Sequence, residues 1–215
     1  MTFQIMLEPV VVIIGRFQPP HAGHYALIKM AKLFITKNSE LGLAPFPIVA
    51  IVDGLKTRED KSRNPITADD RIAFMRASTL ADGVKYLVGT SATDVLTKLK
   101  RAGYDPKVFV TGSDRGDTYL DMANKYYGET PEFERRSITF DRTDMTTSGA
   151  RIDDVLDSID DSTPIQYVSG TLLRHSVETD RFDKFLILSG LKKSPKLAEK
   201  LFSKMKNAMG VKDND

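Results

Sequence analysis

His21 and His24 stand three residues apart in the string Gly15-Arg16-Phe17-Gln18-Pro19-Pro20-His21-Ala22-Gly23-His24, and the rest of the 215-residue chain holds only one other histidine. A helix starting near Ala22 would bring both imidazoles to one anion at a helix N-terminus, where free amides and the helix dipole already favour negative charge. Gly23 would let a ligand approach the backbone closely. Two histidines falling near a turn by chance is the plain alternative, and for a lone histidine it would be preferred. It accounts poorly for the whole string. A second string, Ser169-Gly170-Thr171-Leu172-Leu173-Arg174, combines hydroxyls, free amides at a helix start and a guanidinium one turn in, a set suited to phosphate oxygens. Taken alone, an ordinary capped helix with an exposed arginine explains it better.

The elements that must position these strings alternate between strand-like and helix-like patterns, which implies an α/β fold with a mainly parallel sheet. Residues 10–14 form a short β-branched run ending in Gly15, as expected of a strand buried on both faces. The first string then lies at the C-terminal edge of that strand, where open α/β sheets bind ligands. Further strands are expected over 48–52, 84–88, 108–110 and 138–140. Helices are expected over 24–37, from the Thr67/Asp70 capping pair through Leu80, and over 95–100, 114–127, 152–159, 171–177, 180–188 and 195–209. Residues 56–65 read as a polar, basic-leaning loop, and 141–164 as an acidic insertion. Tyr126-Tyr127 and Phe182/Phe185 read as packing positions, and His175 as incidental.

Composition excludes several function classes. Hydrophobic residues at 41% and charged residues at 28% allow a full core, and zero Cys removes disulfides, thiolate metal sites and a cysteine nucleophile. The lack of cysteine accords with a reducing, cytoplasmic setting. A net charge of +2 is too small for a nucleic-acid footprint over the whole chain. The apolar N-terminal stretch lacks a basic leader, is interrupted by Glu8 and Pro9 and is too short to span a membrane, so a buried strand is expected there rather than a signal or an anchor. No Walker A motif is present, and Asp114-Arg115-Gly116-Asp117 is not a calcium loop.

The first string resembles the HxGH signature of the nucleotidyltransferase superfamily, which shares a Rossmann-like fold with class I aminoacyl-tRNA synthetases. In the full form GRFQPPHAGH it is most similar to nicotinamide mononucleotide (NMN) adenylyltransferases of the archaeal type. The second string resembles the superfamily's SxTxxR motif in its SGTxxR form, and it follows the first in the expected order. Thr147-Ser148-Gly149-Ala150-Arg151 is a poorer match, with Ala150 in place of Thr and Arg151 two positions early. Arg63 lies in a segment that resembles the family's basic loop, whose arginine touches nucleotide phosphates in relatives. Lys56 and Lys61 read equally well as a solvated charge run. Gly112 and Asp114 fall where relatives place a loop against adenine and ribose, although Asp114 would also serve as a helix N-cap.

The resemblance implies an open parallel sheet with helices on both faces, a nucleotidyltransferase domain over 1–190 and a C-terminal helix and tail over 191–215. It implies transfer of AMP from ATP to NMN, giving NAD and pyrophosphate, with no covalent enzyme intermediate. His21 and His24 would hold the α-phosphate. Ser169, Gly170, Thr171 and Arg174 would hold the β/γ end, helped by Arg16 and Arg63, with Gly15, Phe17, Gly23, Gly112 and Asp114 lining the nucleotide. Mg²⁺ would accompany ATP through phosphates and water, so no protein metal ligand is named. The alternatives are cytidylyl or adenylyl transfer to another phosphorylated acceptor, and a non-catalytic nucleotide-binding module. Neither a nucleic-acid nor a membrane partner is expected, and a homo-oligomer is left open.

Overall fold

The computed structural model describes residues 6–112, 115–128, 134–141 and 151–212. Its strands are β1 (Glu8–Gly15), β2 (Ile48–Val52), β3 (Lys85–Gly89), β4 (Tyr104–Gly112) and β5 (Arg136–Phe140). They form one five-stranded sheet of order β3-β2-β1-β4-β5 in which every neighbouring pair is parallel. The helices are α1 (Ala22–Lys37), α2 (Leu55–Glu59), α3 (Ala68–Ala77), α4 (Ala92–Arg101), α5 (Gly116–Tyr127), α6 (Ile152–Ser158), α7 (Gly170–Glu178), α8 (Phe182–Ser189) and α9 (Pro195–Met209).

From β1 the chain steps through α1 to β2 on one side, whereas α4 and α5 carry it from β3 to β4 and on to β5 on the other side. Because parallel crossovers are right-handed, α1 covers one face and α4 and α5 the opposite one. This is the expected Rossmann-like arrangement with helices on both faces. The order reverses between β1 and β4, and Val12 pairs with Phe109, so Gly15 and Gly112 both end on the sheet edge where such folds bind ligands.

The chain divides into two compact units, each assembled from three stretches. The first comprises residues 1–15, 27–54 and 83–141 and contains the sheet. On one face Val10, Val12, Ile14, Ala50 and Phe109 pack with Val95, Leu96 and Leu99 of α4 and Tyr119 and Ala123 of α5. Val11 and Ile13 alternate with them and are fully buried too, as a doubly covered strand requires. The second unit comprises residues 16–26, 55–82 and 142–215. In it α9 packs on α3, α7 and α8, and the Phe185 and Phe202 rings meet edge to face at 5.0 Å.

Three expectations need correction. The segment read as a loop over 56–65 opens with helix α2. The helix after Thr67 stops at Ala77, and a separate turn over 79–81 follows, capped by the Ser78 hydroxyl. Strand β4 begins at Tyr104 rather than at Val108, because Asp105, Pro106 and Lys107 disguise it. Val10 lies opposite Pro106 and Val11 opposite Val108, so Lys107 is the extra residue of a β-bulge, where a proline without an amide does no harm. The Asp105 carboxylate is matched by Lys107 at 3.0 Å and Arg135 at 2.7 Å. Arg135 also donates to the Gly128 carbonyl at 2.6 Å and to Asn124 Oδ1 at 3.2 Å. A buried ion cluster thus replaces the apolar signature of a strand.

Candidate active site

The loop leaving β1 is built to present two histidines. Phe17 takes a left-handed backbone angle (φ 52°), a conformation that costs a non-glycine residue about 1–2 kcal/mol. Its ring is fully buried and lies 4.6 Å from the His24 ring, centroid to centroid. Helix α1 starts at Ala22, and the His21 carbonyl accepts from the amides of His24 (2.9 Å) and Tyr25 (3.3 Å). Both imidazoles therefore belong to the first turn, 3.7 Å apart between centroids and tilted by 36°. The His21 amide donates to His24 Nδ1 at 3.3 Å. That nitrogen is thus an acceptor and the neutral ring carries its proton on Nε2, the tautomer that can donate outward. A Cβ on Gly23 would come within 3.1 Å of His21 Cε1 and 3.2 Å of its Nδ1, so glycine at this position leaves room for the histidine ring itself.

The second string begins α7. Ser169 is the N-cap, its hydroxyl accepting from the Leu172 amide at 3.2 Å. One turn in, Arg174 Nη1 donates to the Gln18 carbonyl at 2.8 Å, and Nη2 reaches the Thr171 hydroxyl at 3.3 Å. A Cβ on Gly170 would lie 3.1 Å from that carbonyl oxygen and 3.2 Å from Arg174 Nη1, so a larger residue would crowd the place where the two motifs meet. Burial, and then the like charges of Arg16 and Arg63, pull the Arg174 guanidinium below its ordinary value, against the opposing pull of Glu178 and Asp60. A buried guanidinium that two neighbouring cations disfavour is one that a bound anion would relieve.

The basic segment between α2 and α3 completes the arrangement. Arg63 is exposed and pairs loosely with Asp60 at 4.0 Å. Hydrogen bonds from the Ser62 side chain and the Arg63 amide hold the Asp60 carboxyl below its ordinary value. Gln18 is buried, its Nε2 donating to the Ile66 carbonyl at 2.6 Å and its Oε1 accepting from the Ile66 amide at 3.4 Å. Arg71 is fully buried and donates to the Thr67 and Arg16 carbonyls.

Of the residues singled out in the sequence, Arg16, Phe17, His21, Gly23, His24, Arg63, Ser169, Gly170, Thr171 and Arg174 all belong to the second unit. Gly15 and Gly112 close β1 and β4 in the first. Asp114 lies outside the described residues, and the cap position of α5 is Arg115. The poorer SGxR string lies outside them too, except Arg151, which is 3.9 Å from Asp153. Sequence reasoning missed Gln18 and Arg71 as holders of the loop. His175 sits 2.7 Å from Asp153 on α6 and 3.3 Å from Glu178. Among the described residues no group of three or more metal-ligating side chains is assembled, and no helix is long and apolar enough to cross a membrane.

An uncharacterized protein from Aeropyrum pernix is 35% identical over 82 residues, which are 38% of this chain and 42% of that protein. This chain therefore matches less than half of that relative. A solved structure of a macrolide-efflux protein from Streptococcus pneumoniae aligns with a TM-score of 0.50 at 16% identity, covering 85% of this chain and 65% of the other. At that identity the likeness concerns the fold alone. The cytidylyltransferase-like family matches residues 12–176, a span that holds both the histidine loop and Arg174 on α7. On that match the chain belongs to the cytidylyltransferase-like family.

Proposed function

We propose that the chain is an NMN adenylyltransferase, transferring AMP from ATP to NMN to give NAD and pyrophosphate. The observation that carries nucleotidyl transfer is the bond from Arg174 to the Gln18 carbonyl, which joins the histidine turn to the phosphate-type N-terminus of α7 among three cations. NMN is supported by the spelling GRFQPPHAGH and SGTLLR.

In this mechanism an acceptor phosphate oxygen attacks the α-phosphorus in line, the bond to the β-phosphate oxygen breaks, and pyrophosphate leaves. The attacking phosphate is already ionised, so positioning and charge stabilisation carry the rate. His24 donates from Nε2 to the α-phosphate beside His21. Arg174, Arg16 and Arg63 neutralise the β/γ end with the help of Ser169, Thr171 and the first amides of α7. ATP enters as its Mg²⁺ complex.

The family's description favours a second reading, cytidylyl transfer to another phosphorylated acceptor. Pyrophosphate release with Mg²⁺, measured for ATP and CTP against NMN, nicotinate mononucleotide, phosphopantetheine, phosphocholine and glycerol 3-phosphate, separates the two. Turnover with ATP and NMN supports the proposal, and turnover with another pair replaces it. ATP binding without turnover on any pair points to a non-catalytic module.

A further inference from the structure

Outside both motifs, one buried cation is tied to the backbone of the first. Among the described residues, Arg71 heads the largest fully buried side chains. A guanidinium so placed is tolerated only when its donors are filled. Arg71 Nε reaches back over the cap of α3 to the Thr67 carbonyl at 3.1 Å, and Nη1 donates to the Arg16 carbonyl. Two residues along the same loop, Gln18 grips Ile66 through both its side-chain polar atoms. The backbone of residues 16–18 is therefore laced to the start of α3, and the Gln18 carbonyl is also held by Arg174.

The side chains beside this lacing are the exposed cations. Arg16 follows β1 directly, Arg63 precedes Ile66 by three residues, and both press electrostatically on Arg174. Like charges on a slack loop would move apart. Holding them converged for a polyanion needs backbone anchors that are not themselves part of the anion contact. We propose that Arg71 is a positioning residue that sets Arg16 for the triphosphate, with Gln18 performing the same task for the segment bearing Arg63. This rests on the nucleotidyl-transfer reading above.

The test uses the full chain as wild type and as Arg71→Met, Arg71→Lys and Gln18→Met, each checked for folding by circular dichroism and melting. Two quantities are read: binding of inorganic tripolyphosphate by calorimetry, and the KM for ATP and for NMN in pyrophosphate release. In folded Arg71→Met, tripolyphosphate binding weakens and the KM for ATP rises, each about tenfold, while the KM for NMN stays within about twofold. Arg71→Lys, which keeps the charge and can still reach one carbonyl, recovers part of the loss. A merely structural residue would lower the melting temperature without splitting the two KM values. Folded Arg71→Met that binds tripolyphosphate and uses ATP like wild type overturns the inference. If that variant does not fold, wild-type-like binding in both Arg71→Lys and Gln18→Met does so. Wild type that binds tripolyphosphate but releases no pyrophosphate from ATP and NMN removes the proposed function alone, and the Arg71 comparison is then read from binding. Wild type that binds no tripolyphosphate removes both.

Discussion

At position 23 the demands of stability and of the site point in opposite directions. Gly23 lies in the first turn of α1, and glycine is worse than alanine in a helix by up to about 1 kcal/mol. Yet an alanine Cβ would press within 3.1 Å of the His21 ring. Gly23→Ala should therefore hold or raise the melting temperature while lowering kcat about tenfold or more; a variant as active as wild type would mean that the ring position is not critical. His24→Ala should lower kcat by about 100- to 1,000-fold without unfolding the chain, because the donor it removes acts on charge that develops in the transition state. Turnover undiminished in that variant would sink the mechanism. His21, His24, Ser169 and Arg174 were legible in the sequence because their types and spacing are local. Gln18 and Arg71 were not, since what they do depends on backbone carbonyls 48 and 55 residues away.

Among the elements, α9 packs on α3 and α7 and is also tied to α3 by an ion pair, Lys204 with Asp70, the residue next to Arg71. Burial alone would raise the Asp70 carboxyl, but the hydrogen bonds from Lys204 and Thr67 outweigh it and hold the group below its ordinary 3.8. A depressed folded value means that this contribution is present above pH 3.8 and is lost as pH falls through the folded value. Melting curves should show wild type more stable than Asp70→Asn near neutrality, with the gap closing in acid below that range; equal curves at neutral pH would show that the tie contributes nothing. Element types and order were readable where apolar periodicity was strong, as in β1, β2 and α9. β4 was cut short because its bulge and buried ion cluster put Asp, Pro and Lys where a strand should be apolar. Helix α2 was hidden because none of its residues is buried, leaving no apolar stripe to see.

Over the whole molecule, stability in the sheet unit depends on charge balance as well as apolar packing. Asp105→Ala would leave Lys107 and Arg135 side by side with their shared carboxylate removed, which should cost about 3–5 kcal/mol, read from the urea midpoint. A loss under 1 kcal/mol would mean that water reaches the cluster. The interleaving of the two units has a further consequence for how the protein is made. Each takes turns along the chain, and the histidine turn belongs with helices that come far later. Gln18 and Arg174 are 156 residues apart, and Asp70 and Lys204 are 134 apart. Contacts of such long sequence separation form late and slowly. During translation the histidines leave the ribosome long before the arginine that secures their loop. No nascent chain that stops short of α7 can hold a finished site, so activity requires that helix as well as the histidine turn.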